Sequence, residues 1–224
     1  MSTIFRDIFP SLIIFEQRLM MGDMLRAFFQ RHQLFERISV FKSPSEMELW
    51  EPSYHVPSLI FVSAGKPSFF EEICRYIRQQ YYNSPILCLD KRVRIASLHI
   101  VVEHKVNGYW TLLDSTEDLL QGVIHAVKGI PTCCSAAKSF LEVEKNRFAI
   151  AQTSPESKFF KLSRRERELF TNIGRGLTLE DCSQQMSLTK KSVDNLKTRL
   201  MAKLDAHSIT KIVYLAAKHG LTDY

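Results

Sequence analysis

The stretch LTKKSVDNLKTRLMAKL, residues 188–204, decides how the last third of the chain is read. It carries five basic residues, an apolar stripe and a single acid, Asp194. At ~100° per residue, Val193, Leu196, Leu200 and Leu204 fall along one line, the pattern of a helix with one buried face. The opposite side carries Lys191, Asn195, Thr198, Arg199 and Ala202, with Asp194 at its edge. Lys190, Lys197 and Lys203 lie nearer the apolar seam, from which long stems reach outward. Short polar side chains flanked by lysines suit the major groove of duplex DNA, where lysines meet phosphates and short groups approach base edges. The same pattern also describes an ordinary solvated helix, so the neighbouring segments decide between the two.

Thr189 is placed to cap this helix, and the turn before it, Ser187-Leu188-Thr189, is very short. Thr178 and Asp181 open a preceding helix with Leu179, Cys182 and Met186 facing inward. Ser163 and Glu166 have capping-box spacing for an earlier helix, which Gly174 and Gly176 end. Ser208 caps a last helix that ends at Gly220. Two capped helices joined by a three-residue turn predict a helix-turn-helix. Charge agrees: residues 156–224 hold 13 Lys and Arg against 8 Asp and Glu, while residues 1–155 hold 17 against 16. Nearly all of the net charge of +6 therefore lies in this part, which points to an anionic partner for it.

Residues 162–221 resemble the LuxR-type helix-turn-helix over essentially its whole length. The resemblance rests on the Leu-Ser-x-Arg-Glu opening at 162–166, Glu168, Gly176, Ser192-Val193, Lys203-Leu204 and the closing Gly220-Leu221. It implies an all-α four-helix domain that binds double-stranded DNA and dimerises through its last helix, here through Ile209, Ile212, Val213 and Ala216. The implied DNA-contacting set is Lys190, Lys191, Asp194, Asn195, Lys197, Thr198, Arg199 and Lys203. Similar domains commonly carry a basic residue where this chain has Asp194. Two readings of Asp194 stand side by side. It accepts from cytosine N4 and excludes wrong sequences, or it pairs locally with Lys190, Lys191 or Lys197.

From about Phe9 to Lys138, short apolar runs alternate with amphipathic ones: LIIF (12–15), ISVF (38–41), LIFV (59–62), ILCL (86–89) and GYWTLL (108–113). Runs this short and this apolar fit buried parallel strands. The gaps leave room for helices, one over Arg18–Gln30, one opened by Ser43-Pro44-Ser45-Glu46 and one opened by Ser115 and stopped at Gly129-Ile130-Pro131. Five βα units predict a doubly wound α/β domain. Residues 57–67 and 107–132, ahead of a LuxR-type domain, are similar to receivers of NarL/FixJ-class response regulators, which implies strand order 2-1-3-4-5. The expected organisation is a receiver-like domain over 1–138, a partly helical linker over 139–160 around the polar AQTSPESK (151–158), and the helix-turn-helix domain over 161–224.

A receiver of this kind needs an acidic pair after its first strand, a phosphoacceptor Asp after the third, a hydroxyl after the fourth and a Lys after the fifth. Those positions fall here on Phe15 and Glu16, on Ser63, on Asp90 and near Leu112. Ser63 cannot form an acyl phosphate, and Glu16 with Asp90 makes a poor Mg²⁺ site. Glu16, Ser63 and Asp90 are thus the remains of a phosphorylation pocket, and no bound metal or cofactor is expected. The region 92–127 corresponds to the surface through which receivers meet partners. An exposed Trp110 there suggests a protein partner, and a buried one suggests core.

No run approaches the ~18–20 apolar residues of a membrane span, and MSTIFRDIFP lacks the basic start of a signal peptide. Five cysteines without zinc spacing fit a reduced, cytoplasmic chain. No nucleophile–base pair or glycine-rich phosphate loop appears, so no enzyme is expected. The expected function is a transcription regulator acting as a homodimer without aspartyl phosphorylation. The alternative is an adaptor that heterodimerises with another response regulator and modulates its DNA binding.

Overall fold

The computed structural model describes residues 8–48, 56–152 and 157–219; Pro155 of the expected linker and the closing Gly220-Leu221 lie outside them. The chain divides into two compact units, residues 1–93 with 100–149, and residues 94–99 with 150–224.

The first unit alternates strands and helices as the apolar runs require. Its parallel strands are β1 (Phe9–Phe15), β2 (Phe35–Phe41), β3 (Leu59–Ala64), β4 (Ile86–Asp90), β5 (Gly108–Thr111) and β6 (Thr132–Cys133), in the order β2-β1-β3-β4-β5-β6. This is the expected order with one further edge strand, two residues long. Every residue of β3, β4 and β5 is buried, which is what helices on both faces of a parallel sheet demand. The register sets Leu12 beside Leu59 and Ile14 beside Phe61. The connecting helices are α1 (Leu19–His32), α2 (Pro44–Glu48), α3 (Pro67–Gln80), α4 (Ile95–Glu103) and α5 (Thr116–Val127).

Caps lie where the sequence placed them. The Ser43 hydroxyl accepts from the Glu46 N–H at 3.3 Å, and the Ser115 hydroxyl accepts from the Asp118 N–H at 3.1 Å. Gly129 turns the chain out of α5 at φ +72°, a conformation glycine adopts without steric cost. Tyr109 and Trp110 are both buried, so the core reading of the tryptophan holds.

Helix α5 packs on β5 through Gly122. A methyl group added there would meet the Trp110 ring nitrogen at 2.3 Å. The indole is rigid and buried, so it cannot swing away. Gly122→Ala is expected to lower the unfolding free energy by roughly 1–2 kcal/mol, overpacking outweighing the gain in helix propensity. A urea midpoint at or above that of the parent would refute this packing.

In the linker expected over 139–160, the first half is a hairpin and not a helix. A 3-10 turn at Ser135–Ser139 leads into an antiparallel hairpin, β7 (Leu141–Glu144) with β8 (Arg147–Ile150). The cause is the two-residue turn: Lys145 (φ 48°) and Asn146 (φ 60°) are both left-handed, as the tightest hairpin turns require. Leu141 and Phe148 bury the hairpin's inner face. A single helical turn, α6 (Ser157–Phe160), follows.

The second unit contains α7 (Arg164–Gly174), α8 (Leu179–Gln185), α9 (Lys190–Leu204) and α10 (Ile209–Lys218). Its core gathers Leu169, Phe170, Ile173, Cys182, Met186, Val193, Leu200, Leu204 and Ile212. Among the described residues no helix is long and apolar enough to cross a membrane.

Candidate nucleic-acid interface

Local chemistry fixes α8 and α9 before packing does. Thr178 and Asp181 exchange side-chain and backbone hydrogen bonds in a full capping box at the start of α8. After Met186, Ser187 turns left-handed at φ 51°, and the Leu188 N–H donates to the Ser183 carbonyl at 2.9 Å. The Thr189 hydroxyl then accepts from the Ser192 N–H at 3.2 Å and starts α9. The turn is as short as its sequence suggested.

Val193, Leu200 and Leu204 are fully buried, and Leu196 is half-buried against the same core. That anchors α9 from behind. Lys191, Asp194, Asn195, Thr198 and Arg199 are exposed on its other side. Asp194 pairs with the Lys197 ammonium at 2.5 Å, so the local pairing foreseen for it is present. The Thr198 hydroxyl donates to the Asp194 carbonyl at 3.0 Å. Lys190 pairs with Glu180 of α8 at 2.5 Å across an exposed surface. Lys191, Asn195 and Arg199 have no polar side-chain partner among the described residues.

Lys203 differs from the rest of the predicted set. Its ammonium donates to Glu166 Oε2 at 2.7 Å and to the Lys161 carbonyl at 3.2 Å. The same Glu166 oxygen accepts from the Ser163 N–H at 2.7 Å, so Lys203 ties the C-terminal turn of α9 to the capping box of α7. Burial pushes the Glu166 carboxyl up, but Lys203 and the Ser163 donors outweigh it and hold the group below its usual range. Sequence reasoning placed both residues and missed their link, because 37 positions separate them.

Two of the four residues expected to dimerise are buried within this chain. Ile212 and Ala216 are 0 % exposed, spent on the core against α7 and therefore absent from any outer face. Ile209 at 44 % and Tyr214 at 57 % are exposed, Val213 is half-buried, and the Lys211 ammonium lies over the Tyr214 ring. Helical phase explains the difference: α10 has only one face to give the core, and 212, 215 and 216 take it.

At the carboxyl ends of β1, β3 and β4, Glu16, Ser63 and Asp90 are all buried. In doubly wound sheets this end, beside the point where strand order reverses, is where ligands bind. Here a largely exposed arginine of the same chain reaches in and meets the polar need. Arg18 donates through its backbone N–H at 2.8 Å, Nε at 3.0 Å and Nη2 at 2.8 Å to Glu16, and Nη2 reaches the Ser63 hydroxyl at 3.4 Å. Burial raises the Glu16 pKa, yet the Arg18 and Ser63 hydrogen bonds hold it below the ordinary carboxylate range. Asp90 is engaged separately, accepting from the Tyr109 hydroxyl at 3.0 Å and the Lys91 N–H at 2.6 Å. Among the described residues no group of three His, Cys, Asp or Glu side chains is placed to hold a metal ion. The sequence signal for Arg18 was an arginine two positions beyond Glu16, close enough to fold back on it.

Residues 161–216 match the family of bacterial regulatory proteins known as GerE, the luxR family. The response regulator UvrY of Escherichia coli is 33% identical over 78 residues, covering 34% of this chain and 36% of that protein. The chain thus spans about a third of the length of the curated relatives it matches. Among solved structures, two RcsB dimers bound to two parallel DNAs align with 94% of this chain and 98% of that one, at 13% identity and a TM-score of 0.59. RcsB from Salmonella enterica serovar Typhimurium, bound to promoter rprA with phosphomimetic BeF3-, aligns with 93% and 98% at the same identity and score. At that identity the likeness bears on fold: a receiver-like α/β unit and a luxR-type helical unit.

Proposed function

We propose that this chain is a sequence-specific DNA-binding transcription regulator of the response-regulator type, acting as a dimer and independently of aspartyl phosphorylation. The observation that carries this reading is α9, held from behind by buried leucines and presenting Lys191, Asn195, Thr198 and Arg199 outward. Lys191 and Arg199 meet phosphates, while Asn195 and Thr198 approach base edges. Lys190 and Lys197 exchange their carboxylate partners for phosphates at little cost, since exposed ion pairs contribute only ~0–1 kcal/mol. Lys203 serves the fold and reaches the duplex only secondarily. The exposed part of α10, Ile209, Val213 and Tyr214, meets a second copy. The Arg18–Glu16–Ser63 arrangement supports independence from phosphate, because a guanidinium already neutralises the pocket.

The test is a fluorescence-anisotropy titration of the full chain against its selected DNA site across a salt series, with and without acetyl phosphate. Affinity is expected to fall steeply, with a log–log slope of about −0.9 per phosphate contact, and acetyl phosphate is expected to leave the curves unchanged. A flat salt response removes the DNA reading. Tightening by acetyl phosphate removes the phosphate-independent part.

The adaptor reading, pairing with another response regulator, draws on Leu112 and Leu113, which stand 48 % and 83 % exposed just after β5. It is favoured if specific binding in the same titration requires an added regulator.

A further inference from the structure

At the amino-terminal ends of β4, β5 and β6, away from the Ser63 pocket, the first unit contains a cavity of about 330 Å³. That volume is near the lower end of the range for small-molecule sites. Its walls come from the loops entering β4, β5 and β6 and from the β7–β8 turn, which supplies Asn146 and Arg147.

Charge in these walls is one-sided. Arg78, Lys105 and Arg147 face a single carboxylate, Glu103. Arg78 is half-buried, and its four hydrogen bonds all go to backbone carbonyls: His104 at 2.8 Å, Tyr82 at 3.1 Å, Ser84 at 2.8 Å and Lys105 at 2.9 Å. They hold the loops together and leave the cation without a carboxylate partner among the described residues. Burial accordingly pulls the Arg78 pKa down. Among the described residues the Lys105 ammonium reaches only the Tyr82 hydroxyl, at 3.5 Å, and lies over its ring. His104 is pulled down by burial as well, so it adds no compensating or competing charge near neutrality. Ser84 is 1 % exposed, and its hydroxyl has no hydrogen-bond partner among the described residues. A desolvated cation without an anion and a hydroxyl without an acceptor are costs that a bound anion removes.

The geometry points to a binding site for a small organic phosphate, with its dianionic group between Lys105 and Arg147 and its organic body against Tyr82, Val106 and Pro131. Three cations against one carboxylate leave an excess of two positive charges, which a phosphate monoester, carrying about −1.5 to −2 at neutral pH, matches better than a single carboxylate. The Asn107 amide holds the floor, its carbonyl oxygen accepting from the Ile86 N–H at 3.1 Å, and leaves its NH₂ group for the ligand. The site belongs to the first unit alone and stands whether or not α9 reads DNA.

The experiment is a ¹H–¹⁵N NMR titration of the full chain at fixed ionic strength with glycerol 3-phosphate, inorganic phosphate and succinate. Glycerol 3-phosphate is expected to shift the amides of Ser84, Lys105, Asn107 and Arg147 saturably. Inorganic phosphate and succinate are expected to bind roughly tenfold or more weakly, each losing one element of the match. The double variant Lys105→Glu/Arg147→Glu, both residues exposed, should abolish the shifts while keeping the parent's far-UV spectrum. Ser84→Ala, which leaves every charge in place, should weaken binding without abolishing it. Shifts confined to the basic face of α9, or binding untouched by the double variant, overturn the site. Inorganic phosphate binding as tightly as glycerol 3-phosphate overturns the organic-ligand assignment, and succinate doing so overturns the preference for phosphate.

Discussion

Leu200→Ala is expected to destabilise the second unit by about 2–5 kcal/mol and to abolish DNA binding at 37 °C. Leu200 is fully buried among the core residues shared by α7, α8 and α9. Removing most of a buried leucine forfeits its transfer free energy and leaves a cavity that the surrounding helices fill only partly. A unit of this size has roughly 0.05–0.15 kcal/mol of stability per residue, so the loss is a large share of the whole. At about 4–8 °C per kcal/mol, the helical melting transition should fall by ten degrees or more. Leu196→Ala, at a half-buried position one turn earlier, should cost markedly less. Far-UV circular dichroism reports the helices. The sequence has no tryptophan between residues 150 and 224, and Trp110 is buried in the first unit, so tryptophan fluorescence reads that unit separately. Equal losses for the two leucine variants would mean that α9 is not anchored along the 193–200–204 line.

That line was legible because helical periodicity is a local property: apolar residues at the right spacing admit one buried face, and three leucines and one valine define it without reference to any partner. The caps at Ser163, Thr178, Thr189 and Ser208 were legible for the same reason, each satisfied within three residues. The strands β1 to β5 could be read because parallel strands buried on both faces need continuous apolar runs. What escaped the sequence was of two kinds. Some elements are too short to carry a period, such as β6 with two residues and the β7–β8 hairpin, whose turn uses Lys145-Asn146 instead of a glycine. The rest are pairings across distance. Lys203 looks like any other groove-facing lysine until α7 brings Glu166 to it. Ile212 and Ala216 look like a dimer face until α7 covers them. In the same way, Arg18 joins the Glu16–Ser63 pocket only once β1 and β3 are neighbours. A candidate site read from one helix is therefore reliable in its phase, while the duties of its charged residues depend on which helix lies against it.

Asn195→Ala is expected to weaken binding to the preferred DNA site by about 1–3 kcal/mol, roughly 5- to 150-fold, while leaving unrelated duplexes almost unaffected. Asn195 is exposed on α9, unpaired among the described residues, and its amide can donate to and accept from one adenine edge. Asp194 beside it should behave in the opposite sense. Its carboxylate repels phosphate, and its pairing with Lys197 is exposed and therefore weak. If on a cognate site the carboxylate accepts from cytosine N4, it recovers there what the repulsion costs, whereas on other sequences the repulsion stands uncompensated. Asp194→Ala should then tighten non-cognate DNA more than cognate DNA and narrow the ratio between them, chiefly through one base position. Lys197→Ala separates the two duties of the pair. It removes the local partner and leaves the carboxylate free, so the specificity ratio should be retained while overall affinity and salt slope fall. If Asp194→Ala tightens every duplex by the same factor, the acid is only a partner for Lys197, and sequence preference rests on Asn195 and Thr198 without it.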